Sequence, residues 1–460
     1  MARCSVLLPE VPVSTVAAYL DAGGGRGLER ARSIGPDGVI EAIQRSGLRG
    51  RGGAGFPTGR KWDSVRRAPG TTKYVVCNAA AGEPGTFKDR AILRANPYQV
   101  VEGLAVAACA IGAGEVFLAL KASFERERDA VIAAAQELEA VGVLSDLTVT
   151  IVSGPEEYLY GEESALLEVI EGREPLPRQM PPYLHGLFAT SPQLGWHSHE
   201  PERGHRRGDE SNPTLVNNVE TLANAAHILA RGPEWFRSMG TEESPGTVVA
   251  TVVGDVLRPG VVEVELGTPL REVIDERGGV GPDRRIKAVF SGVTNAVLPG
   301  TKIDVPLAHE PMSRAGTGMG AAGFIVYDDT ACMVDVARVF SRFLWVESCG
   351  QCPACKLGTG RIADSLEALA HRKHEFSALS ALHRRLRTVT DGNRCFLPVE
   401  AQQVVGSVLR TFSEDVVAHV EGTCSLRHDI VLPKLKNLED GVAHYDERQS
   451  RKRPDWTYAA

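Results

Sequence analysis

Four cysteines in the C-terminal part of the chain have the spacing of a metal–sulfur site. Cys349, Cys352 and Cys355 form a C-x2-C-x2-C triplet in ESCGQCPACKLGT, and Cys395 follows in DGNRCFLPVE. A tight triplet of thiolates with a distant fourth is the usual ligand set of a 4Fe–4S cluster. Zinc is the main alternative, although structural zinc sites more often pair two C-x-x-C units, and ordinary buried thiols are the third. The spacing predicts a 4Fe–4S cluster, which without a substrate motif usually carries electrons.

A glycine-rich, basic loop near the N-terminus is the second candidate for chemistry. Residues 49–62 read RGRGGAGFPTGRKW. Glycines allow backbone N–H groups to approach a ligand closely, and the surrounding positive charge suits a phosphate. Three glycines spell G-x-G-x-x-G, but a helix-like segment precedes them where a Rossmann fingerprint needs a strand, and no acidic residue follows at the ribose-binding distance. The loop is predicted to bind phosphate, and a mobile surface loop is the alternative. Its basic residues are Arg49, Arg51, Arg60 and Lys61.

Polar groups at turns and helix entries are further candidates for ligand contacts. Glu83 lies in the turn AAAGEPGTFKDR, directly after a predicted strand. Gly161 precedes a helix that begins with Glu162 and Glu163, two acids that either face a ligand or are favoured by the helix dipole. Two adjacent amides stand at another helix entry, where they cap the helix or bind a ligand edge: Asn217 and Asn218.

The order of predicted elements divides the chain into three folded parts. Strands alternate with helices over 37–240, which indicates an α/β domain. Short Val-rich strands, a Pro-Gly hairpin signal and one helix then suggest a small α+β domain. The remaining helical patterns make a four-helix bundle with the cluster at its end the simplest packing; they cover 331–346, 357–370, 375–387 and 398–419. The predicted boundaries are an N-terminal extension at 1–35, the α/β domain at 36–240, the α+β domain at 246–328, the helical domain at 331–420 and a C-terminal tail at 421–460.

Two polar segments stand apart from these domains. The loop insertion at 185–210 contains His197, His199 and His205, which could hold a metal, although His-rich loops are more often solvated. The end of the tail carries a basic RQSRKR run. We expect this tail to be a docking arm or disordered.

Length and composition describe a globular protein without nucleic-acid-binding or membrane-spanning features. The chain has 460 residues, of which 43% are hydrophobic and 24% charged, and a net charge of −7. That length suffices for about three domains. A transmembrane helix would need a run of about 18 apolar residues, which the sequence lacks, and the N-terminus lacks the apolar core and cleavage site of a signal peptide.

The cysteine content predicts a reducing compartment. Nine cysteines in a chain of 460 residues are too few for a disulfide scaffold, so we expect a cytoplasmic location. Five cysteines show no spacing pattern and are expected to be buried thiols: Cys4, Cys77, Cys109, Cys332 and Cys424.

Taken together, these motifs resemble the flavin-bearing, NADH-oxidising subunit of respiratory complex I and the related diaphorase subunits of NAD-linked hydrogenases and formate dehydrogenases. The resemblance covers roughly residues 36–420 and rests on SGLRGRGGAGFPTGRKW, the NxxxGEPGTFKDR turn, YGEESALLEVIEGREPLPR, PTLVNNVETLAN and ESCGQCPAC with the later cysteine. It implies an FMN-binding α/β domain, a small ubiquitin-like domain of the SLBB type and a C-terminal four-helix bundle carrying a 4Fe–4S cluster.

The resemblance also implies roles for individual residues. The implied cofactor-binding residues are Gly50, Arg51, Gly52, Gly53, Lys61, Asn78, Glu83, Tyr160, Gly161, Glu162, Glu163, Asn217, Asn218 and Thr221. The implied pocket for NAD(H) contains Phe56, Glu83, Glu163 and Tyr183, and the implied cluster ligands are Cys349, Cys352, Cys355 and Cys395. No side chain is expected to act as an acid, a base or a nucleophile, because the flavin and the cluster carry the chemistry.

Ala80 and Ala81 depart from the family, whose members generally read N-A-D-E-x-E-P-G at this point. In relatives the two missing carboxylates lie beside the flavin and the nicotinamide. Removal of nearby negative charge should raise the flavin potential, and removal of hydrogen-bond acceptors should weaken nucleotide binding by roughly 3- to 100-fold. The insertion at 185–210 is longer than the usual link and could cover the nucleotide pocket.

The implied activity is electron transfer between NAD(H) and an iron–sulfur chain, through FMN and the 4Fe–4S cluster. The protein would then be one subunit of a hetero-oligomer, with a 2Fe–2S ferredoxin-like subunit and a further redox subunit or dehydrogenase as partners, in the cytoplasm or at the periphery of a membrane complex. In one alternative, the NAD site is degenerate and the chain exchanges electrons with a ferredoxin or another protein. In the other, the chain is a structural cluster-bearing subunit without an active flavin site, against which the intact glycine loop argues.

Overall fold

The N-terminal half of the protein is built on a parallel sheet. The structure, a computed structural model, describes residues 5–191, 210–371 and 376–459. The helices of this half are α1 (Val16–Asp21), α2 (Arg26–Ser46), α3 (Thr58–Arg67), α4 (Lys88–Ala95), α5 (Pro97–Ile111), α6 (Glu125–Ala140), α7 (Glu163–Ile170), α8 (Val219–Arg231) and α9 (Pro233–Arg237). The strands are β1 (Tyr74–Ala79), β2 (Glu115–Lys121), β3 (Thr148–Gly154) and β4 (Thr214–Asn218). They lie in the order β3–β2–β1–β4 with every pair parallel, which confirms the predicted α/β architecture.

Both faces of this sheet are covered, which explains its apolar strands. Successive side chains of a strand point to opposite faces. Val75 and Cys77 belong to the core shared with α2, α5 and α8, whereas Val76 packs with Leu166 of α7 and Leu187. A strand buried on both faces must be apolar along its length, as YVVC in β1 is.

The segment predicted as an N-terminal extension packs into the same core. Leu28 and Ala31 on α2 are buried. The carboxylate of Glu102 on α5 accepts hydrogen bonds from the backbone N–H groups of Gly25 (2.8 Å) and Leu28 (2.9 Å). Helix α2 bends at Gly35, where φ is +70°, a value that favours glycine. The described residues before position 36 are therefore part of the α/β domain.

A second sheet follows the α/β part. It contains β5 (Thr247–Gly254), β6 (Gly260–Glu265), β7 (Ile286–Ser291), β8 (Leu298–Pro299) and β9 (Gly323–Asp328), with α10 (Leu270–Glu276) and α11 (His309–Arg314). The strand order is β6–β5–β9–β7–β8, with only the β5–β9 pair parallel. Val248, Val264 and Leu270 contribute to its core. The predicted small α+β domain is confirmed.

The C-terminal part is helical. Its helices are α12 (Met333–Glu347), α13 (Pro353–Ala370), α14 (Phe376–Thr388), α15 (Leu397–Thr411) and α16 (Ser413–Glu421). Helices α12 and α14 each pack against α13 and α15. The single helix predicted at 398–419 is divided at Phe412, after which Glu414 and Asp415 favour the N-terminus of a new helix. None of the described helices combines the length and apolar character that a bilayer crossing requires.

The tail folds back onto the protein. β10 (Leu435–Glu439) and β11 (Val442–Tyr445) form an antiparallel hairpin. Lys452 is fully buried, and its Nζ lies 2.9 and 3.0 Å from the two carboxylate oxygens of Glu347. The expectation of a disordered tail is therefore wrong, because a basic residue of the tail is the partner of a buried acid; a docking role for the tail stays a prediction.

Most of the insertion at 185–210 lies outside the described residues, together with His197, His199 and His205 and the suggested cover of the nucleotide pocket. Its described beginning is anchored by Arg178. That guanidinium donates hydrogen bonds to the backbone oxygens of His185 (3.1 Å) and Gly186 (2.9 Å).

Replacing Lys452 with Met should destabilise the protein, because the Glu347 carboxylate would stay buried without its cation. Removal of one partner of a buried ion pair costs about 3–5 kcal/mol. We expect a lower midpoint in calorimetric unfolding and faster proteolytic release of the tail.

The double variant Lys452→Met/Glu347→Gln removes the buried charge as well and should recover part of this loss. Arg448→Met breaks an exposed pair with Asp446 in the same tail and should cost less than about 1 kcal/mol. Equal losses in the two single variants would contradict the assignment.

Candidate functional site

Loops from three strands meet at the carboxyl ends of the parallel sheet, the edge at which open α/β sheets bind ligands. Asn78 on β1 lies opposite Asn218, the last residue of β4. The Asn78 Nδ2 donates a hydrogen bond to the carbonyl oxygen of Gly161 at 2.8 Å. This bond fixes the turn that follows β3 beside the end of β1. The loops after β1, β3 and β4 therefore border one space, which we call the cleft.

The glycine loop supplies another wall of this cleft. A Cβ at Gly52 would come within 3.2 Å of Asn218 Cβ, which places the loop against the start of α8. At Gly53 and Gly161 no described atom lies within 4 Å of the Cβ position, so both residues face open space. Backbone N–H groups of a glycine loop beside a helix N-terminus form a cradle for phosphate. The residues present therefore fit a phosphate-bearing cofactor such as FMN.

Arg51 and Thr221, both predicted to bind the cofactor, hold the glycine loop in place. The Arg51 N–H donates a hydrogen bond to Thr221 Oγ1 at 2.9 Å. The Arg51 guanidinium is buried, donates to the Thr247 carbonyl at 3.0 Å and lies 3.7 Å from Glu220. Its side chain is long enough to reach β5, so it joins the α/β part to the second sheet rather than facing the cleft.

A buried ion network that the sequence analysis did not anticipate lies beneath the cleft. Lys88 is fully buried, and its Nζ lies 2.7 Å from Asp89, 2.9 Å from Glu220 and 3.1 Å from Asn218 Oδ1. The Asn218 amide also donates to Asp89 at 2.8 Å, and its Oδ1 accepts from the Glu220 N–H at 3.0 Å. A buried lysine persists only when it is paired in this way. Asn218 therefore caps α8, which is one of the two roles that its position in the sequence allows.

Three other predicted residues also turn into the protein. Glu162 caps α7, because its Oε2 accepts hydrogen bonds from the backbone N–H groups of Ser164 at 3.0 Å and Ala165 at 2.8 Å. Tyr160 is fully buried. Asn217 Oδ1 accepts a hydrogen bond from Trp62 Nε1 at 2.6 Å. These contacts position the Gly161 turn and α3.

Four other predicted side chains of the site are fully or partly exposed. Lys61 Nζ lies 2.7 Å from Glu163, and both side chains keep part of their surface in solvent. Phe56 and Tyr183 are 51% and 43% exposed. Exposed aromatic rings are the kind of side chain on which a nucleotide base stacks, and their place in a nucleotide pocket stays a prediction.

Glu83 lies at a junction of all three parts of the chain. Its Oε2 accepts a hydrogen bond from Tyr158 Oη at 2.6 Å. Its Oε1 accepts from the Val293 N–H at 2.6 Å and the Thr294 hydroxyl at 2.8 Å. Glu400 on α15 lies 3.2 Å from the same tyrosine oxygen. Glu83 is therefore committed to joining the domains, and its predicted contact with NAD(H) stays a prediction.

The Glu83 loop also borders a cavity of about 350 Å³ between the sheet edge and the tail hairpin. Lys121 and Lys434 line this cavity together with Ala81. Burial lowers the pKa of Lys121 to about 8. Ala80, in contrast, is fully buried in the apolar cluster of Val76. The two alanines that depart from the family pattern thus have different surroundings.

The four cysteines predicted as cluster ligands converge on one pocket. They line it together with two residues of the α/β part, Leu159 and Pro177. Burial, followed by the neighbouring thiols, raises the pKa of Cys355 to about 12, and burial likewise raises that of Cys395 to about 12. Binding of iron must therefore displace protons from both thiols.

The chemistry of this donor set favours a cluster over a single ion. A tight triplet of cysteines with a distant fourth is the usual ligand set of a 4Fe–4S cluster, whereas structural zinc sites more often pair two C-x-x-C units. The four thiols that line this pocket therefore fit a 4Fe–4S cluster.

One short turn connects the two candidate sites. In the turn Tyr158–Gly161, Leu159 lines the cysteine pocket and Gly161 faces the cleft. The Tyr158 N–H donates a hydrogen bond to Glu347 at 3.0 Å. Glu347 ends α12, directly before the cysteine triplet, so the cleft and the pocket are held at a fixed separation.

Comparison with known proteins agrees with this arrangement. The chain matches family models described as the Nuo51 FMN-binding domain over residues 43–227, the SLBB domain over 249–290 and the NADH-ubiquinone oxidoreductase-F iron–sulfur binding region over 335–419. Fold and site thus define a flavin- and iron–sulfur-binding oxidoreductase subunit. More particularly, the chain belongs to the family of the NADH-quinone oxidoreductase F subunits.

Relatives cover nearly the whole chain. The second F subunit of NADH-quinone oxidoreductase of Rhizobium meliloti (strain 1021) is 37% identical over 426 residues, which are 90% of this chain and 96% of that protein. NADP-reducing hydrogenase subunit HndC of Solidesulfovibrio fructosivorans is 33% identical over 91% of this chain and 82% of its own. The crystal structure of an NAD+-reducing [NiFe]-hydrogenase in the air-oxidized state superposes with a TM-score of 0.75 at 31% identity, covering 91% of this chain and 68% of that one.

Replacing Gly161 with Leu should expel the flavin without unfolding the protein. The Cβ position is open and the residue has no positive φ, so the new side chain would occupy the cleft. We expect the flavin content per chain to fall at least about tenfold, measured by absorbance after gel filtration, while flavin-free samples keep the native unfolding midpoint.

Gly114→Leu is the matched control. It is equally open and also lacks a positive φ, but it precedes β2 at the opposite edge of the sheet. This variant should retain its flavin. Full flavin content in Gly161→Leu would show that the cofactor lies elsewhere.

Replacing Glu400 with Gln should stabilise the protein increasingly as the pH rises. Tyr158 has one hydroxyl proton and gives it to Glu83, so the Glu400 contact needs a proton from Glu400 itself. Burial, and then repulsion by Glu83, raises the pKa of Glu400 well above its usual value. The folded state therefore holds this proton more tightly than the unfolded chain, and the resulting stability is lost as pH rises from about 4.3 towards the raised pKa.

Glutamine has no such proton to lose. The stability of Glu400→Gln relative to the native protein should increase as the pH rises above about 4.3, by up to about 1.4 kcal/mol per pH unit within the titration range. Denaturant unfolding at several pH values measures this. Glu139→Gln, at an exposed position of α6, should show a flat difference, and a flat difference for Glu400→Gln would contradict the assignment.

Proposed function

We propose that the protein transfers electrons between NAD(H) and an iron–sulfur chain by way of FMN and a 4Fe–4S cluster. The observation that carries this proposal is the turn Tyr158–Gly161, which borders the open cleft through Gly161 and the cysteine pocket through Leu159. A protein that uses such cofactors contributes chiefly their position and electrostatic surroundings. A shared turn positions both groups at once.

The residues of the cleft have separable tasks in this proposal. When bound, FMN supplies hydride acceptance and single-electron release, and the cluster supplies single-electron acceptance. The backbone of Gly50–Gly53 would hold the phosphate, with Lys61 nearby as a cation. Asn78 keeps the Gly161 turn in place, and Leu159 of the same turn lines the cysteine pocket.

The chain would act as one subunit of a hetero-oligomer. Its relatives are named as subunits of a quinone oxidoreductase and of a hydrogenase. Leu357 and Phe396 follow cluster cysteines closely and are 62% and 52% exposed, and exposed apolar side chains of this kind suit a protein contact. We propose a 2Fe–2S ferredoxin-like subunit as the electron partner at this surface, with a further redox subunit or dehydrogenase beyond it.

Anaerobic mixing of the purified protein with NADH, NADPH or reduced ferredoxin tests the proposal. We expect NADH to bleach the flavin absorbance and then to reduce the cluster. The same experiment with NADPH shows which of the two nucleotides the protein uses. Bleaching by ferredoxin together with no response to either nucleotide would overturn the role of NAD(H) and leave the cofactor assignments standing.

A second candidate is an electron-transfer subunit whose partner is a protein instead of NAD(H). The observation in its favour is the pair of alanines at the loop after β1. Ala80 is packed among apolar side chains, where a carboxylate would be costly to bury. Ala81 has a φ of +39° and borders the cavity beside Lys121. A ligand in this region would therefore be affected by the absence of a carboxylate at position 81.

Ala81→Glu distinguishes the two candidates. The added carboxylate should lower the flavin midpoint potential by Coulomb repulsion of the reduced form and, if NAD(H) binds here, tighten NADH binding by roughly 3- to 100-fold. Ala81→Gln controls for size without charge and should leave the potential unchanged. Spectroelectrochemistry and NADH titration provide the measurements. An unchanged potential in Ala81→Glu would remove this position from the flavin site, and a gain of NADH reduction absent from the native protein would favour the second candidate.

A further inference from the structure

Four potential metal ligands converge outside both sites already described. Cys332, His419, Cys424 and His428 each offer one ligand atom, and these four atoms all lie within 4.8 Å of one another. Cys332 Sγ is 3.0 Å from His419 Nε2, and Cys424 Sγ is 3.6 Å from His428 Nε2. We refer to these residues as the Cys2His2 set.

The set lies where the second sheet, the helical part and the tail meet. Cys332 precedes the first turn of α12, shortly after β9, and His419 lies in the last turn of α16. The other two members follow α16 at the beginning of the tail. Two backbone hydrogen bonds join the segments that meet here. The Cys332 N–H donates to the Arg427 carbonyl at 3.1 Å, and the Arg427 N–H donates to the Thr330 carbonyl at 2.8 Å. These backbone contacts bring the segments that carry the ligands together.

The separations agree with tetrahedral coordination of one ion. With zinc–sulfur bonds of about 2.3 Å and zinc–nitrogen bonds of about 2.0–2.1 Å, a tetrahedral site places sulfur and nitrogen roughly 3.5 Å apart. The two measured sulfur–nitrogen distances, 3.0 and 3.6 Å, bracket this value.

Charge and ligand type select the metal. Two thiolates and two neutral imidazoles balance the charge of a divalent ion, which permits the burial of Cys332 and His419. Binding releases the two thiol protons to solvent. Two sulfur and two nitrogen ligands in a tetrahedral arrangement are typical of structural zinc, whereas iron–sulfur clusters are held mainly by cysteines. A complete set of four protein ligands leaves no position for a substrate.

We propose that the Cys2His2 set binds one structural Zn2+ ion, which fastens the tail to the junction of the second sheet and the helical part. Arg427, between two of the ligands, also pairs with Asp255 of the second sheet at 2.6 Å. The ion would therefore fix the start of the tail, and Lys452 later in the same tail pairs with Glu347. His428 is exposed, which provides a path by which the metal enters.

Metal analysis of tag-free, full-length protein tests this proposal. After exhaustive dialysis against a chelator, we expect about one zinc per chain in addition to about four irons. In Cys424→Ser and in His428→Gln, the zinc content per chain should fall at least about tenfold while the iron content stays the same. Cys109→Ser, at a half-buried cysteine of α5 outside both groups, should keep both metals, and Cys352→Ser should lose iron while keeping zinc.

X-ray absorption at the zinc edge identifies the ligands directly. We expect two sulfurs at about 2.3 Å and two nitrogens at about 2.0–2.1 Å. His428→Gln changes an exposed side chain, so this variant keeps the test decisive if Cys424→Ser fails to fold. Native protein without zinc after growth in zinc-containing medium, unchanged zinc in His428→Gln, or a shell without sulfur would each overturn the proposal.

Discussion

A single buried carboxylate, Glu347, joins the parts that hold the two candidate cofactor sites together. Its oxygens accept hydrogen bonds from the Tyr158 N–H at 3.0 Å, Gln449 Nε2 at 2.9 Å and Lys452 Nζ at 2.9 and 3.0 Å. Burial alone would raise the pKa of this acid, but Lys452 and Lys434 together hold it below its usual value. An ionised group inside a protein is tolerated only with such partners. The turn between cleft and pocket, the end of α12 and the tail are therefore stable only as one assembly.

The same physical requirement explains why many motif residues do not touch the cleft. Lys88 and Arg51 balance the charges of Asp89 and Glu220 beneath it, and the Arg51 guanidinium also reaches the second sheet. A sequence motif includes residues that contact the ligand and residues that only hold those contacts in place, and the motif does not show which are which. In this protein the ligand-facing part of the glycine motif is mostly backbone, and the charged side chains mainly secure it.

Patterns confined to short stretches of sequence were sufficient for the fold. Apolar strands alternating with helices indicated the parallel sheet, and the cysteine spacing singled out four residues that line one pocket in the structure. Contacts between distant residues left no such pattern. Lys452 resembles any residue of a basic tail, and its buried role depends on an acid 105 residues earlier. Cys332 carried no spacing signal either, since its nearest partner, His419, is 87 residues away. A local signal did exist in His419, Cys424 and His428, which follow one another closely in the sequence.

The pairing of Glu347 with Lys452 also has a consequence for the order of events during synthesis. Glu347 leaves the ribosome 105 residues ahead of its cation, an interval of roughly 5 to 20 seconds at typical translation rates. Throughout this interval the carboxylate lacks the Lys452 cation and favours contact with water. The end of α12, directly before the cysteine triplet, therefore reaches its final packing only when the tail arrives.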